Sequence, residues 1–312
     1  MMKISLLTIL ALFCLTTMAA AWDDLGHMIV AARAYDQLTP EVQEKVSRLL
    51  KLNPNYAKWI ANVPETNRNR VAFLRASRWP DDIQDDPTYK QDGKHNGNRP
   101  SGRKAAQNIG YTDKLRHKYW HFIYMPYSPD NTALGNLPAP NAKTQIALFR
   151  KTLKSTTSSS FLKSYDLVWL LHLVGDVHQP LHAISRFDKA HRKGDDGGNG
   201  VMVCSHPCQA RETLHAFWDD LFGVSKDTTT AIDKAKQLPA VDSQLTSISD
   251  EGLWIQESFE AAQKYVYISP IEIGPGPYEV TDTYKAAAQE LAAQRIALAG
   301  DRLANLINDV LK

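Results

Sequence analysis

Apolar residues recur along most of the chain at the spacing of an α-helix, and few segments show the alternation of a half-buried strand. The clearest start signal is Thr39, a residue type that caps helices, with Pro40 at the first helical position. The pattern therefore predicts a mostly helical, all-α fold. The predicted helices are residues 26–38, 40–50, 141–154, 161–178, 212–222, 251–267 and 282–311.

Segments rich in Gly, Pro, Asn and Asp separate these helices and predict long loops. One short strand is indicated at residues 200–204, so the loops are expected to hold at most a short β-hairpin. No Gly/Ser-rich or Pro-rich linker divides the chain, and residues 22–312 are predicted to form a single domain. The predicted loops are residues 85–110, 126–141, 186–210 and 269–280.

The first residues have the pattern of a secretory signal peptide. Lys3 precedes an apolar run at residues 4–15, and three alanines at positions 19–21 form a small-residue cleavage site before Trp22. We therefore expect residues 1–21 to be removed and the protein to be secreted or periplasmic. Because no later apolar run reaches the ~20 residues that span a bilayer, no stable membrane association is expected.

Composition narrows the class of protein further. The chain has 312 residues, 43% of them hydrophobic, and a formal net charge of +2, which excludes disordered and fibrous classes and gives no overall nucleic-acid footprint. Outside the signal peptide the cysteines are Cys204 and Cys208, which are predicted to form a local disulfide in an oxidising compartment. A zinc site there would need ligands that Cys-Ser-His-Pro-Cys does not supply.

The segment from Arg99 to Lys118 is locally basic, because it contains six basic residues and a single acidic residue, Asp113. It could form a rim that binds a nucleic-acid backbone, or it could be a solvated loop made flexible by its glycines. The six residues are Arg99, Arg103, Lys104, Lys114, Arg116 and Lys118.

The first candidate site residues lie in segment 166–179, which is apolar almost all round, as a buried helix would be. His172 and Asp176 interrupt this run four residues apart, so they project from one face, and His182 follows shortly after. A buried, unpaired carboxylate costs several kcal/mol, so Asp176 must meet a cation or strong donors. A hydrogen-bonded His–Asp pair and a metal site both satisfy this requirement.

A second copy of the arrangement favours a metal site. His215 and Asp219 again lie four residues apart in an apolar helix, which adds nitrogen and oxygen donors of the kind that zinc accepts. Further candidate ligands, two of them beside a tryptophan, are Asp81, His121 and His27.

With these residues in order, the sequence resembles the S1/P1 nuclease family of zinc-dependent single-strand nucleases. It is more distantly similar to the bacterial zinc-dependent phospholipases C, which share the all-helical fold. The resemblance spans nearly all of residues 22–312. Its landmarks are Trp22, Gly26-His27, Trp79-Pro80-Asp81, His121-Phe122, the motif from His172 to His182, Gly197-Gly198-Asn199, and His215-x3-Asp219.

The resemblance implies three Zn²⁺ per monomer. One zinc would be held by Asp81, His121, His172 and Asp176. A second would be held by His27, the shared Asp176, and the amino nitrogen and carbonyl oxygen of Trp22. The third would be held by His182, His215 and Asp219. Asp176 and Asp81 are thereby implied as catalytic residues that act through a metal-bound hydroxide.

The implied reaction is hydrolysis of single-stranded RNA and DNA to 5′-phosphorylated products, together with removal of 3′ phosphates from nucleotides. A hydroxide shared by two zincs would attack phosphorus in line, and the third zinc would neutralise the departing oxygen. Phe122 is implied to stack a base and Asn199 to orient phosphate. Gln84 and Tyr124 stand where fungal and plant members carry an arginine and an acid or amide, so the phosphate contact and base preference do not transfer.

Other roles remain open at this stage. Tyr124 could contact a base or be a core aromatic. The alternatives for the whole chain are a phospholipase C and a zinc-dependent nucleotide-binding protein without turnover. The phospholipases typically carry a Glu where this chain has Asp219, which argues against the first.

The remaining histidines and tryptophans are predicted to be structural. Four histidines are expected at the surface, and His178 is expected either to support a metal ligand or to have a structural role. The surface group is His95, His117, His191 and His206, and the predicted core tryptophans are Trp59, Trp169 and Trp254.

Overall fold

The computed structural model describes residues 22–92 and 103–312, so the predicted signal peptide, His95 and Arg99 lie outside the described residues. The described helices are α1 (Asp24–Tyr35), α2 (Pro40–Leu50), α3 (Tyr56–Trp59), α4 (Arg68–Ala76), α5 (Trp79–Asp85), α6 (Ala142–Lys154), α7 (Ser160–Asp176), α8 (Leu214–Asp219), α9 (Thr228–Lys236), α10 (Ser243–Thr246), α11 (Glu251–Ala261) and α12 (Asp282–Leu311). The mostly helical fold predicted from the sequence is confirmed.

Helix starts follow the capping residues. Thr39 accepts a hydrogen bond from the backbone of Val42 at the start of α2, and Ser159 does the same for α7. Asn141 and Thr144 form a reciprocal capping box at the start of α6. These local signals explain why the predicted starts of these helices agree closely with the observed ones.

The strands are short and more numerous than a single hairpin. They are β1 (Met125–Tyr127), β2 (Ile184–Arg186), β3 (Met202–Ser205), β4 (Glu212–Thr213) and β5 (Tyr278–Val280). β1 pairs with β2 in parallel, and β3 lies between antiparallel β4 and parallel β5. The strand expected at residues 200–204 is β3, and the helix expected from residue 212 starts later because its first two residues form β4.

Five of the described helices were not predicted: α3, α4, α5, α9 and α10. α3 and α10 are only four residues each, too short to show a helical repeat. α4 and α9 are nine residues each and carry several polar residues, so their apolar repeat is too short to stand out. α5 begins at Trp79 with Pro80 in its first turn, a sequence that also suits a loop. Tertiary packing decides these segments.

Helix α7 lies at the centre of the molecule, and every residue from Ser164 to Asp176 is buried. It contacts α6, α2, α5, α1 and α12, which explains why its sequence is apolar on all sides. Trp59, Trp169 and Trp254 are buried, as predicted. Within the described part of the chain, no helix combines the length and apolar character needed to cross a membrane.

Candidate metal centre

The first group of candidate ligands surrounds the carboxylate of Asp176, at the C-terminal end of α7. Its Oδ2 lies 3.2 Å from His172 Nε2 and 3.3 Å from His121 Nδ1. Its Oδ1 lies 3.3 Å from Nε2 of His27, which projects from α1. The spacing of four residues along α7 brings His172 and Asp176 together, as the sequence predicts.

Asp81 closes this group from α5. Its Oδ1 lies 3.6 Å from ring nitrogens of both His121 and His172, and its Oδ2 lies 3.9 Å from His27 Nε2. Two overlapping sets of three ligand atoms, each set within 4.8 Å, could each hold a metal ion: His27, Asp81 and His172, and His121, His172 and Asp176.

Trp22 is packed against the same helix end. Its side chain is buried, and its indole Nε1 donates to the carbonyl oxygen of Gly175 at 3.1 Å. The next residue, Asp23, donates its backbone N–H to the carbonyl of Asp219 at 3.2 Å. The backbone at Trp22 is therefore held between α7 and α8, the two helices that carry candidate ligands.

The other group comprises His182, His215 and Asp219, whose ligand atoms also lie within 4.8 Å of one another. His182 Nε2 is 3.1 Å from His215 Nε2, and the latter is 3.5 Å from Asp219 Oδ2. His182 stands in a 3₁₀ turn that begins at Pro180, four residues after the end of α7, and the other two project from α8.

The histidines of this second group fit a metal ion because their tautomers are fixed. Nδ1 of His182 donates to the carbonyl of His121 at 2.8 Å, and Nδ1 of His215 donates to the carbonyl of Gly197 at 2.6 Å. A carbonyl can only accept, so in the neutral rings both Nε2 atoms carry lone pairs, and these face each other. Burial lowers the pKa of His215 to about 4 and that of His182 well below its usual range, which disfavours a proton between them. A cation bound by both nitrogens removes the repulsion.

The first group also has features that fit a metal ion. Several of its buried ligand atoms make no hydrogen bond within the described residues, and such groups normally cost about 1–3 kcal/mol each. These atoms are both ring nitrogens of His27, Oδ2 of Asp81 and both carboxylate oxygens of Asp176. Nitrogen and carboxylate oxygen donors together are a set that zinc accepts, so the residues fit this metal.

Burial and the neighbouring side chains shift the pKa values of the first group in different directions. Burial raises the pKa of Asp81 well above its usual value. Burial acts in the same direction on Asp176, but the neighbouring His172, His121 and His27 hold its pKa well below the usual range. Burial lowers the pKa of His27 to about 4, so its ring is neutral and can act as a ligand.

The predicted substrate-binding residues lie around these groups. The ring of Phe122 is 1% exposed and stacks on Tyr124 with 3.9 Å between ring centroids, so a base could reach Phe122 only after Tyr124 moves. Tyr124 is half-buried, and burial raises the pKa of its hydroxyl well above the usual value, an effect that the neighbouring Asn199 opposes. Asn199 Nδ2 donates to the carbonyl of Asp196 at 2.9 Å, in the loop that holds the ring of His215.

Gln84 braces the backbone beside His121. Its Nε2 donates to the carbonyls of Pro80 at 3.0 Å and Arg116 at 2.8 Å, and lies 3.5 Å from His121 Nε2. The two amide hydrogens are therefore used within the protein, which leaves no donor of Gln84 for a phosphate in this conformation.

His117 is not a surface residue, and that prediction was wrong. Its ring is buried between Asp92 Oδ2 at 3.0 Å and Asp113 Oδ2 at 2.9 Å, and it stacks on Trp120 at 3.6 Å. The residue has a φ of 47° and precedes the 3₁₀ turn that leads to His121. The spacing of four residues from Asp113 was the available signal for this buried contact.

Of the other histidines predicted at the surface, His191 differs from the prediction and His206 agrees with it. His191 has a side chain only 11% exposed, held by Asp188, so its prediction as an ordinary surface residue was also wrong. His206 is exposed, as predicted. His178 is buried, donates from Nδ1 to the carbonyl of Val174, and accepts at Nε2 from Arg302. These contacts fit a structural role, and neither is to a candidate metal ligand.

The disulfide prediction is confirmed, and two lysines of the basic segment differ in exposure. Cys204 and Cys208 form a disulfide, as predicted. Lys114 is exposed and its ammonium lies 4.6 Å from the ring centroid of Tyr89, whereas Lys118 is 7% exposed and is therefore not a solvated surface lysine.

The chain is similar in sequence to known nucleases. A family model described as S1/P1 Nuclease matches residues 22–312. Endonuclease 3 from Arabidopsis thaliana is 24% identical over 333 residues, which cover 99% of this chain and 95% of that protein. Endonuclease 4 from the same organism is 27% identical over 189 residues, covering 53% of this chain and 58% of that protein.

Proposed function

The chain belongs to the S1/P1 nuclease family, and we propose that it is a zinc-dependent nuclease that hydrolyses single-stranded RNA and DNA to 5′-phosphorylated products. The proposal includes three zinc ions per monomer and activity as a 3′-nucleotidase. The mature single domain would begin at Trp22 and act as a monomer in the periplasm or outside the cell.

One observation carries the metal part of the proposal. His182 Nε2 and His215 Nε2 face each other at 3.1 Å while each Nδ1 donates to a backbone carbonyl. Neither atom can donate to the other, and water or a proton does not fit this arrangement as well as a shared cation does. The unpartnered oxygens of Asp176 support the same conclusion for the first group.

The distances support two of the proposed ligand sets, and the set that includes Trp22 rests on the family resemblance. His121, His172, Asp81 and Asp176 would hold one ion, and His182, His215 and Asp219 would hold another. His27 and Asp176 would hold a further ion with the amino and carbonyl groups of Trp22. Bound zinc supplies a Lewis acid and lowers the pKa of a bound water from ~15.7 towards ~7.

The chain's own residues position the substrate and hold the ligands in place. Backbone carbonyls fix the rings of His172, His182 and His215 through their Nδ1 atoms. Tyr124 and Asn199 border the second group and are placed to contact nucleotide. No side-chain nucleophile is needed for this chemistry.

The proposed role of Trp22 connects activity to processing. A free α-amino group has a pKa near ~8 and can lose its proton to a metal ion near neutral pH. In a peptide bond the lone pair of the same nitrogen is delocalised into the carbonyl and is a poor metal ligand. Removal of residues 1–21 would thus complete the site.

The test is mononucleotide release by the chain beginning at Trp22, with single-stranded RNA, single-stranded DNA and phosphatidylcholine as parallel substrates. We expect 5′ mononucleotides from both nucleic acids, none after chelation, and no lipid cleavage. Because a lost ligand removes several kcal/mol of charge stabilisation, His215→Gln should lower the rate by at least about 100-fold. His206→Gln is the matched control, because His206 is exposed and pairs only with Glu279 among the described residues.

Other outcomes would change the assignment. Release of lipid headgroups would favour a phospholipase C. Zinc binding without turnover of any substrate would favour a nucleotide-binding protein, and nuclease activity that survives chelation would contradict the metal-dependent proposal.

A further inference from the structure

Gln179 lies between the two groups of candidate ligands and is not itself a candidate ligand. Its side chain is completely buried. Its backbone N–H donates to the carbonyl of Asp176 at 2.9 Å, and its own carbonyl accepts from the N–H of His182 at 3.1 Å. The residue therefore forms the turn that joins one group to the other.

The orientation of the Gln179 amide is fixed by its partners. Oε1 accepts from the backbone N–H of Leu181 at 2.5 Å. The amide nitrogen of Gln179 cannot occupy this position, because both it and the backbone N–H are donors. Nε2 must then face Asp219, and it donates to Oδ1 of that carboxylate at 2.7 Å.

The two carboxylate oxygens of Asp219 have different partners. Oδ1 is used by Gln179, while Oδ2 makes no hydrogen bond within the described residues and lies 3.5 Å from His215 Nε2. A partial rotation of the carboxylate away from this orientation would break the bond to the amide. Gln179 thus holds Oδ2 towards the histidines.

We infer that Gln179 is a positioning residue that turns Asp219 towards His182 and His215 and thereby sets the metal affinity of this group separately from the other ligands. The inference rests on the proposed metal-dependent function. Outer contacts of this kind typically change metal affinity by about 10- to 100-fold.

A purely structural role is the competing explanation. The bond from Leu181 N–H to Gln179 Oε1 caps the turn Pro180–His182, and this cap alone could explain a buried glutamine. Gln179→Glu separates the roles, because a carboxylate still accepts from Leu181 but cannot donate to Asp219 when ionised. Gln179→Met removes both bonds at nearly constant length.

The experiment is calorimetric titration of Zn²⁺ into the chelated mature protein, its two Gln179 variants and a control. The control is Gln145→Met, which removes another buried amide from α6. We expect one of three binding events to weaken about 10- to 100-fold in both Gln179 variants, with the other two events unchanged. The control should retain all three affinities.

Two results would overturn the inference. If Gln179→Glu binds zinc like the parent while Gln179→Met does not, the side chain acts only as a cap. If all three affinities fall together in Gln179→Glu, the residue supports the fold and does not act on one group. A parent protein that binds fewer than three zinc ions would instead contradict the proposed metal count.

Discussion

Gly175→Ala tests whether the packing around His27 matters for the metal centre. Gly175 lies one residue before Asp176 in α7, and a Cβ at this position would be 2.9 Å from His27 Nδ1 and 3.2 Å from His27 Cε1. Ordinary contacts begin at 3.4 Å, so the ring must move by about 0.5 Å. The backbone itself is helical and accepts alanine.

The two energetic effects of this substitution have opposite signs. Overpacking a buried site costs about 1–3 kcal/mol, whereas replacing a helical glycine by alanine stabilises by about 0.5–1 kcal/mol. The free energy of unfolding of the chelated protein should therefore fall by only about 0–2.5 kcal/mol. Activity should fall more, because His27 stacks on His172 at 3.8 Å and faces Asp176 at 3.3 Å.

We expect a loss of about 10- to 100-fold in the rate of single-strand hydrolysis, since a misplacement of ~1 Å in a site can cost ~100-fold. The assay pairs that rate with zinc content and urea unfolding of the chelated chain. Gly252→Ala in α11 is the control, because the added methyl group would meet only side-chain atoms far from the metal ligands, the flexible ammonium of Lys143 and Oδ1 of Asp250. An alanine variant at Gly175 with unchanged zinc content and rate would refute the reasoning.

Three further predictions concern charge and the N-terminus. Burial lowers the pKa of His117, but Asp113 and Asp92 outweigh this effect and raise it overall; its stabilising contribution is therefore complete below about pH 6.5 and is lost as pH rises through the folded pKa. In urea unfolding of the chelated protein, His117→Gln should lose most stability at low pH, and a loss that grows with pH would contradict the sign. One additional residue before Trp22 should lower zinc content and activity, whereas full activity of the extended chain would exclude an N-terminal ligand. Because the net charge is only +2, substrate affinity should fall weakly with salt, and a slope typical of a many-phosphate binder would oppose a metal-dominated site.

The helices that lie around the centre follow from local signals in the sequence. The start of α7 and the facing pair His172 and Asp176 need only a capping serine and the helical period. The order of the other candidate ligands carries the family resemblance, and the structure brings those side chains together.

Long-range packing decides the features that the sequence does not reveal. His117 stands in a polar segment, and its burial depends on Asp92, which is 25 residues away and has no periodic relation to it. Gln179 lies within the predicted motif, but its role depends on Asp219, which is 40 residues further along the chain. The cover of Phe122 by Tyr124 likewise depends on side-chain packing.

The most direct test of the central claim is to add zinc back to the chelated mature chain while single-strand hydrolysis is measured. The account predicts that activity is absent without zinc and reaches its plateau only when three zinc ions are bound per chain. Full activity without zinc, or a plateau after a single bound ion, would contradict it.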